Sequence, residues 1–315
     1  MKTQTIGGWS DMVSARLAYG CMRVSGSWDP AKVTSDMRDK GKQAIVAAYE
    51  AGYTLFDHAD IYASGMCETI HGEVMRDIPG MRENILIATK CGIRFAGDPD
   101  PDSPHRFDFS AAHILESCDR SLTRLGIERI DIFQLHRPDF LMDPTEIADA
   151  FSSLHASGKV RHFGVSNFSP SQVSLLQHFC DFELVVNQVE IHLGRLDCFR
   201  DGTLDQCVER GMTPLSWSPL GGGVLGSGSD LDPGNSHAKI WNSVRETLDG
   251  LALKYGVSRT CVALAWLLKH PSRIVPIVGS VNPENIRDAV GADSVEMDRE
   301  DWYRLFVVAQ GGPLP

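Results

Sequence analysis

Residues 53–62 have the sequence YTLFDHADIY, in which an apolar run is closed by charged and polar side chains. Such a short apolar run, bounded by polarity, predicts a buried strand. A helical pattern from Lys42 to Ala51 precedes it and stops at Gly52, a residue type favoured just after helices. Another helical pattern, around Glu68 to Arg76, follows it. The stretch is therefore one strand in an alternation of helices and strands.

The same alternation continues along the chain. Eight strand-like runs, nearly all separated by helical patterns, lie at residues 16–20, 53–57, 84–90, 130–135, 160–166, 183–190, 212–218 and 274–278. Strict alternation requires parallel strands with right-handed crossovers, and eight such units close a barrel. An open doubly wound sheet usually has fewer strands and often a second domain. We predict an α/β fold, a (β/α)8 TIM barrel that forms a single domain over residues 1–315, with additional helices and long loops at its C-terminal face.

Local signals agree with this division. Asp143-Pro144-Thr145-Glu146 and Ser169-Pro170-Ser171-Gln172 predict helix starts closed by capping boxes. Residues 94–109 form a connection too long for an ordinary loop, which is typical of a lid or binding loop. Gly221–Gly226 fits Gly-x-Gly-x-x-Gly but does not open a helix. We interpret it, with the Gly/Ser/Asp-rich residues up to 237, as a flexible flap over a cofactor.

Composition excludes several classes of partner. The 315-residue chain has a formal net charge of −11 and no lysine/arginine run, so we expect no nucleic-acid partner. The longest clearly apolar helix-like run, Cys261–Leu268, is too short to span a bilayer, and Met1–Asp11 lacks the apolar core of a signal peptide. The 8 cysteines are scattered, without metal-ligand spacing. These features predict a cytoplasmic protein with reduced thiols, no membrane partner and no metal.

Polar side chains stand where the predicted strands end, and in a barrel these ends share one face. They are Asp57 with Tyr62, Lys90, His136, Ser166, Asn167, Gln188, Trp217 and Ser218. A lysine ammonium favours the phenolate, so we expect Lys90 to bring the pKa of Tyr62 down from about 10. Asp57 would hold the Lys90 ammonium, and His136 would orient a carbonyl oxygen or help pass it a proton. Because no side chain supplies hydride, the set calls for a nicotinamide.

Each of these residues alone has a simpler explanation, such as a loop cap or a packed aromatic ring, but their motifs together resemble the aldo-keto reductase family over nearly the whole chain. The matching segments are Asp57-x-x-x-x-Tyr62, Lys90 after its strand, LHRPD (135–139), GVSNF (164–168), Asn187-Gln188 and SWSPLG (216–221). The resemblance implies that Tyr62 is the general acid in carbonyl reduction. Lys90 and Asp57 would tune it, and His136 would orient the substrate carbonyl.

The resemblance also implies a cofactor site. Ser166, Asn167 and Gln188 would bind the nicotinamide carboxamide, and Trp217 would stack on its ring. The remaining implied contacts, to the pyrophosphate, come from Ser218, Leu220 and Gly221. The resemblance further implies that the protein acts as a monomer.

The segment after the last predicted strand departs from the family pattern. The family often holds the 2′-phosphate of NADPH with a Lys-Ser pair and an arginine, where this chain has Gly279, Ser280 and Asn285. Arg287 lies one helical face away, and the predicted helix start at Pro283 offers free N–H groups to an anion. Members with a similar Gly-Ser version use NADPH. The resemblance therefore implies NADPH/NADP+, with NADH left open as the alternative.

The leading hypothesis is an NADPH-dependent oxidoreductase that reduces aldehydes or ketones to alcohols. One alternative is a nicotinamide-binding regulatory subunit with little turnover, as the potassium-channel beta subunits of this family imply. Another is a metal-dependent hydrolase on the same barrel. For the substrate pocket, Trp28 and Phe95 predict an apolar wall. Arg94, Arg106 and His105 would instead favour a carboxylated substrate, and the sequence leaves both choices open.

Overall fold

The structure is a computed structural model that describes residues 1–227 and 238–314. Its strands are β1 (Thr3–Thr5), β2 (Val13–Ala15), β3 (Ala18–Gly20), β4 (Leu55–Asp57), β5 (Leu86–Cys91), β6 (Ile93–Arg94), β7 (Arg106–Phe107), β8 (Ile130–Leu135), β9 (Val160–Ser166), β10 (Val186–Glu190), β11 (Thr213–Trp217) and β12 (Val275–Val278). Its helices are α1 (Ser35–Glu50), α2 (Met66–Asp77), α3 (Ala111–Leu125), α4 (Pro144–Ala156), α5 (Pro170–Phe179), α6 (Thr203–Arg210), α7 (Ala238–Tyr255), α8 (Arg259–Leu268), α9 (Pro283–Ala289) and α10 (Arg299–Gln310).

A closed barrel of parallel strands forms the centre of the molecule. The strands follow the order β3, β4, β5, β8, β9, β10, β11 and β12, and β12 pairs back onto β3. Every residue of β5 and β8 is buried, because helices cover the outside of the barrel and side chains fill its interior. Pairing sets Gln188 opposite Ser166 and Lys90 opposite Gln134 at one rim. The predicted (β/α)8 barrel is confirmed.

The predicted helix starts differ in detail. Ser169 and Gln172 form both bonds of a capping box at the start of α5. At α4, Asp143 accepts a hydrogen bond from Thr145 N at 2.9 Å. The capping box expected from Glu146 is wrong, because its carboxylate instead accepts from Ala111 N, at the start of α3, at 2.7 Å.

The N-terminal hairpin closes the bottom of the barrel, a feature the sequence did not indicate. β1 and β2 pair antiparallel, with Thr3 opposite Ala15 and Thr5 opposite Val13. Ile6 and Met12, just inside the turn, are buried in one cluster with the side chains that fill the barrel. A segment that looks polar along the sequence therefore supplies two apolar side chains to the core.

Two long connections were expected at the C-terminal face. The one over residues 94–109 begins and ends in the antiparallel pair of β6 and β7, with Arg94 opposite Arg106. The expected flap is described as far as residue 227, and residues 228–237 of it lie outside the described residues.

Among residues 1–227 and 238–314, one pair of helices has the length and apolar composition that a membrane-spanning segment needs. No single helix there is long and apolar enough to cross a bilayer, whereas Ile240–Tyr255 and Arg259–Leu268, bent by 92°, together satisfy length and composition.

Candidate active site

A buried ion pair lies at the mouth of the barrel, where β4 and β5 end side by side. Lys90 Nζ donates to Asp57 Oδ1 at 2.7 Å and to the backbone carbonyl of His58 at 2.6 Å. Gln188, on β10, donates to the same Asp57 oxygen at 2.7 Å. The Lys90 side chain is fully buried and that of Asp57 is 5% exposed. A buried pair needs additional hydrogen bonds to offset its desolvation, and the His58 carbonyl and Gln188 amide provide them.

Tyr62 and His136 lie beside this ion pair. Lys90 Nζ is 5.3 Å from the centre of the Tyr62 ring, and the His136 ring meets the Tyr62 ring edge-on at 6.0 Å. Both residues are almost fully buried, and His136 Nδ1 has no hydrogen-bond partner among the described residues. The structure thus brings together all four residues that were predicted for catalysis.

The backbone that follows Tyr62 is unusual. Ala63, Ser64 and Gly65 have φ angles of 48°, 52° and 87°, so two residues with side chains adopt a left-handed conformation. Arg124 of α3 packs directly against this segment, and a Cβ at Gly65 would lie 2.3 Å from Arg124 Nε. Glycine is therefore required at position 65 both for its φ angle and for the room that Arg124 occupies.

A second ion pair, between the half-buried Arg124 and the buried Glu68, connects this segment to the strand that carries Lys90. Arg124 donates to Glu68 Oε2 at 3.1 Å and to the backbone carbonyl of Asp60 at 3.4 Å. The other oxygen of Glu68, which is fully buried, accepts from Thr89 Oγ1 at 2.6 Å. Sequence reasoning missed both Glu68 and Arg124, because their partners are distant along the chain.

The titratable groups at the mouth are shifted mainly by burial. Burial, followed by the charge of Asp57, raises the pKa of Tyr62 well above 10.0. The expectation that Lys90 would bring this pKa down is wrong in this structure, because burial and the charge of Asp57 raise it. Burial, followed by the charges of Lys90 and Arg137, lowers the pKa of His136 well below 6.5. At neutral pH the phenol is therefore protonated and the imidazole is neutral.

The residues predicted to bind nicotinamide form a connected network on the rim. Ser166 Oγ donates to the Gln188 carbonyl at 2.9 Å, and Asn167 Nδ2 donates to Ser166 Oγ at 2.8 Å. Asn167 also donates to the His136 carbonyl at 3.2 Å and accepts from Trp217 Nε1 at 3.0 Å. This network places the half-buried Trp217 ring beside the mouth.

The segment predicted to approach the pyrophosphate follows β11 in a tight turn. Gly221 N donates to the Ser218 carbonyl at 2.8 Å, and Ser218 has a φ angle of 50°. Leu220, between them, packs partly buried against the core. A Cβ at Gly222 or Gly223 would meet no atom within 4 Å. Backbone this open can be approached closely by a phosphate.

The residues expected at the 2′-phosphate are spread apart. Gly279 is exposed, with open space around it, and the Ser280 carbonyl accepts from Tyr19 OH at 3.0 Å. Arg287 is exposed on α9 and lines a groove against α1. This groove, of about 480 Å³, is lined by Lys42, Gln43, Val46, Ala47, Glu50, Pro283 and Arg287. Neither Gly279 nor Ser280 belongs to its lining.

A cavity of about 490 Å³ lies beside Tyr62 and is lined by Trp28, Ile61, Ile93, Phe95, His105, Phe107 and Arg137. Trp28 meets the Tyr62 ring edge-on at 6.0 Å. Trp28, Phe95 and His105 thus line a pocket as expected, whereas Arg94 and Arg106 do not. The pocket cation is Arg137, which sequence reasoning missed although it stands next to His136 in the LHRPD motif.

A separate buried cluster lies next to Asp57. Cys21, His58 and His71 offer possible metal-ligand atoms within 4.8 Å of one another, although His58 Nε2 and His71 Nδ1 already share a hydrogen bond of 2.7 Å. Burial, followed by the charge of Arg82, lowers the pKa of His71 to about 3. Sequence spacing did not indicate this cluster, and the expectation of no metal stays a prediction.

Comparisons with known proteins agree with this geometry. The profile of the Aldo/keto reductase family matches residues 16–307. The chain is 40% identical to a 6-dehydroglucose reductase of Novosphingobium aromaticivorans over 98% of this chain and 96% of that protein. It is also 40% identical to oxidoreductase YdhF of Escherichia coli, over 84% of this chain and 86% of that protein. The solved glycerol dehydrogenase of Gluconobacter oxydans has a TM-score of 0.85 and 25% identity, covering 99% of this chain and 97% of that one. The chain therefore belongs to the aldo/keto reductase family and is an oxidoreductase, and carbonyl reduction with a nicotinamide cofactor is the general reaction of that family.

Proposed function

We propose that this protein reduces aldehyde or ketone carbonyls to alcohols with NADPH and that Tyr62 is the proton donor. The observation that carries the proposal is the convergence of Tyr62, His136 and the buried Lys90–Asp57 pair at one barrel mouth. Acid, imidazole and ammonium at one apolar opening are the groups that carbonyl reduction needs.

The proposed role of each residue follows from its surroundings. Tyr62, protonated because of its burial, would donate its hydroxyl proton to the carbonyl oxygen. The Lys90 ammonium, 5.3 Å from the ring centre, would stabilise the phenolate left behind. Neutral His136 would hydrogen-bond the same oxygen and fix its direction. Nicotinamide, when bound, supplies the hydride.

The residues predicted to bind the cofactor suit a dinucleotide. Ser166, Asn167 and Trp217, which are linked by hydrogen bonds, would contact the nicotinamide, and the open backbone at Gly222 and Gly223 would receive the pyrophosphate. At the other end, the exposed Arg287 lines a groove with Lys42, whose amine is paired with Glu73 at 2.9 Å. The Arg287 guanidinium supports NADPH over NADH, because it can bind a phosphate. The free thiols of all the cysteines support a reducing, cytoplasmic setting.

The test is NADPH oxidation, followed by absorbance, with a panel of aldehydes and ketones. The panel should include 6-dehydroglucose, because one relative is named for its reduction. In Tyr62→Phe we expect kcat to fall by about 10²–10⁴-fold, the usual contribution of a general acid. NADPH affinity, measured by fluorescence, should stay unchanged, because the variant keeps the aromatic ring and loses only the hydroxyl.

Tyr303→Phe, on the outer helix α10, is the matched control and should keep full activity. Turnover by Tyr62→Phe equal to the parent would show that the mechanism is wrong. NADPH binding without turnover by the parent on any carbonyl would favour the regulatory alternative instead.

A further inference from the structure

The guanidinium of Arg137 borders the pocket without an acidic partner. Its central carbon atom lies 5.7 Å from the centre of the Trp217 ring. In the part of the chain that the structure describes, no aspartate or glutamate forms an ion pair with it. Asp139, the nearest acid along the chain, accepts instead from the backbone N–H groups of Phe109 and Leu141. Arg137 therefore keeps its donors available on the pocket side.

Arg94 and Arg106, the two arginines of the loop over residues 94–109, are both bound to other groups of that loop. Arg94 donates to both oxygens of Asp98, at 3.0 and 2.9 Å, and to Asp108 at 3.0 Å. Arg106 donates to the Asp98 carbonyl at 2.7 Å and lies 3.9 Å from Asp108. Both are used to fold the loop, so neither is free to bind a ligand.

The rest of the pocket is mainly apolar. Trp28, Ile61, Ile93, Phe95 and Phe107 form its walls, and the His105 ring packs against both phenylalanines, at 5.9 and 6.1 Å. A ligand that fills this space removes water from Arg137. That removal is unfavourable unless the ligand returns hydrogen bonds, and a carboxylate does so best, because its two oxygens match the planar guanidinium.

The overall electrostatic field of the protein does not attract a carboxylate. With a net charge of −11, the chain repels anions at long range. Attraction of a carboxylate to this pocket would therefore depend on a specific contact with Arg137 and not on the overall charge. Arg137 also stands one residue after His136, so the backbone keeps its side chain within reach of the proposed carbonyl position.

We propose that Arg137 binds a carboxylate of the substrate, and that the preferred substrates are aldehydes or ketones that carry a carboxylate away from the carbonyl. This inference rests on the proposed function. Tyr62 and His136 would hold the carbonyl end while Arg137 holds the acid end, with the apolar walls around the carbon chain between them.

The test compares acids with their methyl esters, which keep the carbonyl and lose the charge. Suitable pairs are 4-oxobutanoate with methyl 4-oxobutanoate and 4-formylbenzoate with methyl 4-formylbenzoate, each with NADPH. We expect kcat/KM to be about 10–100-fold higher for the acids, the value of a charge-assisted hydrogen bond. Arg137→Gln should remove this preference by raising KM for the acids, and Arg137→Lys should restore part of it.

Arg120→Gln, which removes an exposed arginine from α3, is the matched control and should leave the preference unchanged. Equal kcat/KM for acid and ester in the parent protein would overturn the inference without any variant. So would an equal loss on acid and ester in Arg137→Gln. Failure of the parent to reduce any acid, ester or other carbonyl would break the proposed function itself.

Discussion

The nicotinamide end and the 2′-phosphate end of the proposed cofactor site are built differently. At the nicotinamide end, Ser166, Asn167 and Gln188 belong to a network of buried hydrogen bonds that reaches Asp57 and Lys90. At the other end, Gly279 faces open space and Arg287 is exposed in a groove against α1. The first end has its polar groups fixed before any ligand arrives, whereas the second has few internal contacts.

The difference indicates which residues would determine the proposed chemistry and which the proposed cofactor preference. Fixed donors and a buried ion pair cost no reorganisation during reaction, so the nicotinamide end can support catalysis as it stands. At the other end, each exposed group would contribute little to the free energy of cofactor binding, and salt would screen its charge. We therefore expect substitutions to have large effects at the first end and small ones at the second.

The largest effect is expected for Lys90→Met. Removing the ammonium leaves Asp57 buried without its ion partner, so the free energy of unfolding should fall by about 3–5 kcal/mol. Reductase activity should fall by at least about 10²-fold, because the phenolate loses its stabilising charge. Chemical denaturation and NADPH oxidation measure the two effects.

Lys159→Met is the matched control, because Lys159 pairs with Asp119 at the surface, where the two side chains are 40% and 54% exposed. Its loss should cost less than about 1 kcal/mol. Similar losses of stability in the two variants would contradict the contrast between buried and exposed charges.

An effect on stability that grows with pH is expected for Asp60→Asn, at a residue whose backbone carbonyl accepts a hydrogen bond from Arg124. Burial, followed by the charge of Glu68, raises the pKa of Asp60 from 3.8 to about 8. The folded protein therefore binds this proton more tightly than the unfolded chain, and the stability it contributes is lost as pH rises from about 4 to 8. The asparagine variant avoids that loss, so its stability relative to the parent should increase by roughly 1.4 kcal/mol per pH unit in this interval.

Chemical denaturation of both proteins at several pH values measures this trend in the free energy of unfolding. The useful interval is roughly pH 5 to pH 8, where linkage predicts that the difference between the two proteins changes. A stability difference that does not change with pH would show that the Asp60 carboxyl is not held protonated by its surroundings.

The smallest effect is expected at the open end. Arg287→Ala should weaken NADPH binding by about fivefold or less and leave NADH binding unchanged, because an exposed ion pair contributes at most about 1 kcal/mol. Gly279→Lys should tighten NADPH binding by a similar factor, since a Cβ atom there would meet no atom within 4 Å. Fluorescence titration at low and high salt measures both, and a loss of NADPH binding as large as that of activity in Lys90→Met would remove the distinction between the ends.

Much of the fold was predictable because the strands are short, apolar and well separated. The bounds predicted for β8 and β9 are those observed. The convergence of Asp57, Tyr62 and Lys90 followed from their positions at strand ends. Burial decided what the sequence could not show, since it raises the pKa of Tyr62 where a neighbouring lysine alone would lower it.

Contacts between distant residues account for the remaining differences. Arg124 supports the segment after Tyr62 from another helix, and Glu146 accepts from the start of α3 instead of closing its own cap. Arg137 belongs to the LHRPD motif that was matched, but the motif does not show whether a carboxylate elsewhere in the fold pairs with it. Such pairings have no periodicity in the sequence from which to predict them.

The hairpin at the bottom of the barrel also sets an order of folding. Gly7 N donates to Thr213 Oγ1, and Trp9 Nε1 donates to the Arg210 carbonyl, across sequence separations of 206 and 201 residues. Contacts this distant close only after most of the chain is available, and they carry the largest loop-closure cost. Ile6 and Met12 therefore reach their partners in the core only after the later strands of the barrel are present. We expect the hairpin of β1 and β2 to be among the last parts of the barrel to reach its final position.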